Sequence, residues 1–195
     1  MMLKMKKIFI LLIFFLASFT NANSEIKRIV SGDLNAKITI IAYESLTCSH
    51  CADFHKKIYP ELKKDYIDKG LVKIEFRHFP LDLAALNAAK IAQCQESQSL
   101  EILETLYSNQ QAWIKGGTIE EVNASLEKFL KDEGFSLNFN KCVDNKKIED
   151  FVLNDRVDGT KNFEINATPT IIINNKKFEK SLNYKNLKKS LEKLI

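Results

Sequence analysis

The chain is poor in the residues that mark irregular or fibrous proteins: among 195 residues there are six glycines and three prolines. That scarcity excludes collagen-like and low-complexity disordered classes, and no internal repeat or flexible linker interrupts the sequence. No arginine-rich stripe with interleaved aromatics is present, so the formal net charge of +4 carries no nucleic-acid signature. Three of the positive charges, Lys4, Lys6 and Lys7, lie at the extreme N-terminus; without them the balance is 26 basic against 25 acidic residues. No cysteine precedes Cys48, which excludes lipid attachment to an N-terminal cysteine. What is present, 45% hydrophobic and 28% charged residues, suits one globular domain with ample core.

The apolar run from Ile8 to Phe19 is unbroken by charge and follows the three lysines. It is shorter than the ~20 residues a membrane span needs. It fits the core of a secretory signal, with Thr20-Asn-Ala22 as a small-residue cleavage site. Residues 1–22 are therefore expected to be a signal peptide, with an uncleaved anchor as the alternative and the globular domain covering 23–195. Export, into the periplasm, places the cysteines in an oxidising space where disulfides persist.

Lys37–Glu44 is rich in β-branched and aromatic residues and predicts a buried strand. A helix follows, with Phe54, Ile58, Leu62 and Tyr66 at four-residue spacing, ending at Gly70 and kinked at Pro60. Leu71–His78 alternates as a second strand. From Leu83 to Gly134 the pattern is helical. Ala84, Ala88, Ile91 and Ala92 form one stripe; Leu103, Leu106, Tyr107 and Ile114 form another. A capping box at Thr118–Glu121 opens a helix with Val122, Leu126, Phe129 and Leu130 inward. One long helix is expected from about Asn138 to Phe163. A strand at Thr168–Ile173, a turn at Asn174-Asn175, a strand at Lys177–Glu179 and a helix over Tyr184–Leu194 complete the chain. A βαβ unit, a helical block and a closing β-hairpin predict an α/β architecture.

Cys48-Ser-His-Cys51 falls where the first strand gives way to its helix. Unpaired N–H groups and the helix dipole there favour negative charge, which lowers a thiol pKa and improves Cys48 as a leaving group. His50 can add positive charge or a donor, and Cys51, one turn deeper, is the natural resolving thiol. Two other readings stay open. Cys48, Cys51 and His55 could contribute to a zinc site, although no second cluster supplies a fourth ligand, or the pair could be an inert structural disulfide. His55 and His78 are expected at the surface. Pro169 begins a strand rather than interrupting one, and by default its peptide bond is trans.

Cys48-Ser-His-Cys51, Arg77-His-Phe-Pro-Leu81 and Ala167-Thr-Pro-Thr170 together resemble the DsbA-like thiol–disulfide oxidoreductases of the thioredoxin superfamily. The resemblance spans nearly all of the chain after the signal. It implies a thioredoxin fold with an inserted helical domain, at about 83–138, and chemistry carried by thiols without cofactor or metal. It implies Cys48 as nucleophile, Cys51 as its buried partner, and a cis Pro169 that lets the Thr168 backbone pair with an extended substrate. It implies that reduced or unfolded exported proteins are the substrates and that a membrane partner of the DsbB type reoxidises the pair. Isomerase or reductase activity is the alternative direction. The dozen or so residues before the first strand leave no room for the dimerisation module of dimeric isomerases, which favours a monomer and an oxidase.

The chain departs from the family in two places. Ser-His stands between the cysteines where the best-known members have Pro-His. The acid that members often carry six residues before the first cysteine is Ala42 here, with Glu44 on the same strand face, either a proton relay or a solvated side chain. Cys94 and Cys142, in an oxidising compartment, are expected to form a structural disulfide such as some relatives carry.

Overall fold

Ile38–Glu44 (β2) carries Ile-Thr-Ile-Ile-Ala-Tyr-Glu, and all but Thr39 are buried. A strand apolar on both faces belongs at the centre of a covered sheet. β2 pairs in parallel with Val72–His78 (β3), from Ile38 opposite Val72 to Glu44 opposite His78. On its other side it pairs antiparallel with Thr170–Ile173 (β4). Ile29–Ser31 (β1) and Lys176–Lys177 (β5) form the edges, giving the order β1-β3-β2-β4-β5. This computed structural model describes residues 26–195, so the expected signal peptide at 1–22 lies outside the described residues.

β1 was not expected from the sequence. Three residues are too few to show alternation, and the strand exists through its antiparallel pairing with β3. The hairpin turn at Asn174-Asn175 forms with φ of 45° and 65°, but β5 is shorter than expected and excludes Phe178 and Glu179. His78, expected at the surface, is buried. Alternation along β3 places it with Val72, Ile74 and Phe76 on the inner face. Its ring meets Gln93 Oε1 at 3.3 Å, and burial pushes its pKa down to about 4, so it is neutral near pH 7.

The expected kinked helix is three pieces. Ser49–Lys57 (α1) stops at Ile58; Tyr59–Leu62 (α2) restarts with Pro60 in its first turn; Lys63–Ile67 winds as a π-helical turn. Proline has no N–H to continue the α1 ladder and fits a helix start instead. The helical layer follows as Leu83–Cys94 (α3), Ser99–Ser108 (α4), Gln110–Trp113 (α5), Ile119–Asp132 (α6) and Phe139–Val143 (α7). The capping box at Thr118 and Glu121 opens α6, whose four expected core residues are all buried. Ile114, expected inward, is 37% exposed; Trp113 is buried in its place and donates to the Leu106 carbonyl at 2.9 Å. The expected long helix is divided, because the Asn145 side chain accepts from the N–H groups of Lys147 and Ile148 and caps Lys146–Phe163 (α8) separately from α7. Tyr184–Leu191 (α9) closes the chain.

The sheet separates two cores. The larger takes Ile40 and Ala42 from β2 together with residues of every helix. The smaller gathers Ile41, Tyr43, Phe79, Ile165 and Ile172 on the opposite face. α8 comes close there because Gly159 has no side chain; a Cβ would lie 2.7 Å from the Tyr43 ring. Asp155 of α8 is fully buried, pairs with Arg28 and accepts the His78 backbone N–H at 3.1 Å, tying α8 to the β1–β3 edge.

Cys94, at the end of α3, is disulfide-bonded to Cys142 in α7, 48 positions further along the sequence, with 5.6 Å between their Cα atoms. Closing a loop of that length removes about 4 kcal/mol of unfolded-state entropy in the chain-entropy model. The Cys94→Ala, Cys142→Ala double variant is expected to lose up to that amount in urea unfolding, with its secondary structure retained. A change under about 0.5 kcal/mol would show that the bridge contributes nothing to stability.

Candidate active site

β2 ends at Glu44, and the chain crosses Ser45–Thr47 before α1 begins. Cys48 is the N-cap of α1, with extended backbone (φ −79°, ψ 120°); its carbonyl accepts from the N–H groups of Cys51 and Ala52 at 3.1 and 3.2 Å. The crossing is fastened from several sides. The Cys48 N–H donates to the Ser45 carbonyl at 3.0 Å, and Thr47 Oγ1 donates to Asp82 at 2.7 Å. Asp82 also caps α3 through the Ala85 N–H. Gln110 of α5, buried, donates its amide to the carbonyls of Leu46 at 2.8 Å and Cys48 at 2.9 Å. Sequence reasoning missed Gln110 and Thr47. Asp82 ahead of an apolar helix was a readable cap, but no local pattern marks a glutamine that acts across more than sixty residues.

The Thr168–Pro169 peptide is cis, and it brings the chain before β4 against the cysteines. Cys48 Sγ donates to the Thr168 carbonyl at 3.3 Å. Thr168 Oγ1 is buried with no hydrogen-bond partner among the described residues, which leaves it to donate to a Cys48 thiolate. The Cys48 pKa is lowered to about 5. The Cys51 thiol contributes most, partial burial opposes it, and the Thr168 side chain and the N–H groups of Cys51 and His50 add to the lowering. His50 is exposed and acts on Cys48 through its backbone N–H. Cys51 is fully buried, and its thiol is pushed far up, first by burial, then by the Cys48 sulfur and the Glu44 charge. Both thiols are free. One sulfur is thus a half-exposed thiolate at neutral pH and the other a buried thiol.

Glu44 and His55 differ from expectation. His55 stands one turn from Cys51 on the buried face of α1 and is 6% exposed, not at the surface. Its Nε2 meets Glu44 Oε2 at 2.8 Å, and its ring stacks on Tyr107 at 4.0 Å. Glu44 is equally buried rather than solvated. Burial raises its pKa; His55 and the Tyr107 hydroxyl oppose that, and the Cys48 charge adds to it. His55 is therefore committed to Glu44. Among the described residues no three His, Cys, Asp or Glu side chains are grouped to hold a metal ion.

A groove of about 580 Å³ opens beside His50 and the cis Pro169, lined also by Phe54, Ile58, Thr168 and Tyr184 among others.

Two measurements test these electrostatics. Alkylation of Cys48 by iodoacetamide is expected to titrate with a midpoint near pH 5. Because the folded pKa lies below the unfolded one, the thiolate's contribution to stability is fully present above about pH 9 and disappears as pH falls through 5. A midpoint above 8 would contradict the site's electrostatics. For Glu44 the sign is reversed. A raised carboxyl pKa contributes stability at low pH that disappears as pH rises through the folded value. The stability of wild type minus that of Glu44→Gln should therefore fall in urea unfolding as pH rises above the ordinary carboxyl range; a flat or rising difference would refute it.

The chain matches the Thioredoxin family model over residues 24–193. It is 28% identical to alpha-DsbA1 of Wolbachia pipientis, whose crystal structure superposes with a TM-score of 0.75 over 86% of this chain and 90% of that one. It is 29% identical to the disulfide bond formation protein D of Bacillus subtilis, over 84% of this chain and 75% of the relative. A Rickettsia bellii protein named as a protein-disulfide oxidoreductase is 28% identical over 74% of this chain, which spans 56% of that longer relative. The mixed sheet with its inserted helices agrees with these matches. The chain belongs to the thioredoxin family, as a DsbA-like thiol–disulfide oxidoreductase.

Proposed function

We propose that the protein is exported and donates disulfides to reduced proteins through Cys48 and Cys51. The observation that carries this reading is the asymmetry of the two thiols. At pH 7 a thiol with a pKa of about 5 is about 99% thiolate, against about 1% for one at 9. Stabilising the dithiol form makes the disulfide form a stronger oxidant. The corresponding gain is up to about 60 mV, less whatever solvent screens at the half-exposed Cys48.

The steps follow from the same asymmetry. A substrate thiolate attacks Cys48 Sγ of the Cys48–Cys51 disulfide. The S–S bond breaks, and the electron pair leaves on Cys51, which takes up a proton because its buried thiolate is strongly disfavoured. Glu44, paired with His55 beneath the site, is a carboxyl able to supply that proton. A second substrate thiolate then attacks the substrate sulfur of the mixed disulfide and expels Cys48 as a thiolate. Two electrons have passed to the enzyme; the substrate has gained a disulfide, and one proton is released to solvent. An extended substrate pairing with the Thr168 backbone in the groove would align the attack. A membrane partner of the DsbB type would return the pair to the disulfide.

Cys48→Ala and Cys51→Ala are each expected to abolish oxidation of a reduced, unfolded protein, since neither variant can form the Cys48–Cys51 disulfide. Full activity in either variant would end the proposal. The equilibrium potential of the pair fixes the direction: a value near −120 mV marks a donor, and one near −270 mV a reductase.

A further inference from the structure

The near-neutral charge balance hides a polarity. Residues 174–195 carry seven lysines and two glutamates, whereas residues 26–173 carry 19 basic and 22 acidic residues. One end of the sheet is therefore strongly positive on a body that is slightly negative. The lysines are not scattered over that end. Lys176, Lys177, Lys180 and Lys193 border a groove of about 500 Å³ formed by β5 and the C-terminal side of α9, with Ile173, Phe178 and Leu194 among its apolar lining. None of the four lysines is in an ion pair among the described residues. Leu194 and Ile195, beside them, are 49% and 65% exposed. The carboxylates on this side are few. Glu179 lies in the groove, Glu192 is 4.0 Å from Lys188, and Asp65 is taken by the Tyr184 hydroxyl.

Lysine on an edge strand commonly guards against edge-to-edge pairing, and β5 is an edge. That accounts for Lys176 and Lys177. It does not account for Lys180 and Lys193, which approach from beyond the strand, or for apolar side chains left open between them.

We propose that this face, built by the β4–β5 hairpin and α9, docks the protein on an anionic lipid surface. All seven cations are lysine and none is arginine, so the face lacks the planar fork that reads individual carboxylates or phosphates. Compact point charges on flexible stems suit a diffuse sheet of negative headgroups, with Leu194, Ile195 and Phe178 entering the boundary between headgroups and acyl chains. The opposite charge of the body orients the molecule, lysines toward the bilayer. Leu182, Asn183 and Tyr184, which follow Lys180 directly, line the groove beside Cys48, so docking also holds the redox site close to the bilayer.

The test is co-sedimentation of the full chain with vesicles of phosphatidylglycerol and phosphatidylcholine, and with vesicles of phosphatidylcholine alone. Binding to the anionic vesicles is expected and should be lost when salt is raised from about 0.1 M to 1 M, as the screening length falls from about 10 Å to 3 Å. The triple variant Lys176→Glu, Lys180→Glu, Lys193→Glu should bind at least about ten-fold more weakly while oxidising a soluble reduced peptide at the wild-type rate. Equal binding of wild type and triple variant would overturn the proposal; the apolar run at 8–19 would then be responsible. Capture of poly-glutamate without vesicle binding would also overturn it, in favour of an acidic protein partner.

Discussion

The helix start at Cys48, which sets its sulfur beside the Cys51 thiol, is the constraint on which the rest of this structure depends. The Cys48 thiolate is stabilised first by the Cys51 thiol, then by Thr168 and the N–H groups of Cys51 and His50, and these reach its sulfur together only while the helix begins at that residue. β2 must therefore end four residues earlier, at the middle of the sheet. β4 must run antiparallel beside β2, so that the turn before it delivers Thr168 to the same sulfur. The inserted helices serve this point too. Gln110 reaches from α5 to hold two carbonyls of the crossing, and Asp82 links that crossing to the cap of α3. The helical layer and the sheet are thus coupled through the few residues around the cysteines.

The same place tolerates polar groups that a core ordinarily rejects. Glu44 and His55 are buried as a pair among Phe54, Tyr59, Phe76 and Tyr107. Buried ion pairs contribute little to stability against an apolar replacement, because desolvation offsets their attraction. A cost of that kind lies beneath Cys48 and Cys51, where the proposed exchange has a proton to move. Asp155 is a contrasting case: equally buried but satisfied by Arg28 and a backbone N–H, it joins α8 to the sheet.

Much of the fold was legible because its signals are local. β2 and β3 follow from β-branched runs and alternation, α6 from its capping box, and the hairpin turn from two adjacent asparagines. The failures have physical causes. Pro60 was taken for a kink, yet its missing N–H made it a helix start. Asn145 split one helical pattern into two by capping the second. β1 has too few residues to announce itself and depends on a partner strand. The histidines were misplaced because histidine tolerates both surface and core: β3 alternation could have placed His78 inward, and the four-residue spacing from Cys51 could have done so for His55. Gln110 could not have been found, since its role exists only when a distant helix is already in place.

The Cys94–Cys142 bridge gives the same chain a second part in this chemistry. Four cysteines can pair in three ways, and the native arrangement joins two helices of the inserted layer while leaving the neighbouring pair free to cycle. In the donor role proposed above, the protein must first acquire a disulfide that it keeps, so each new copy enters the exchange as a client before it can serve as a donor.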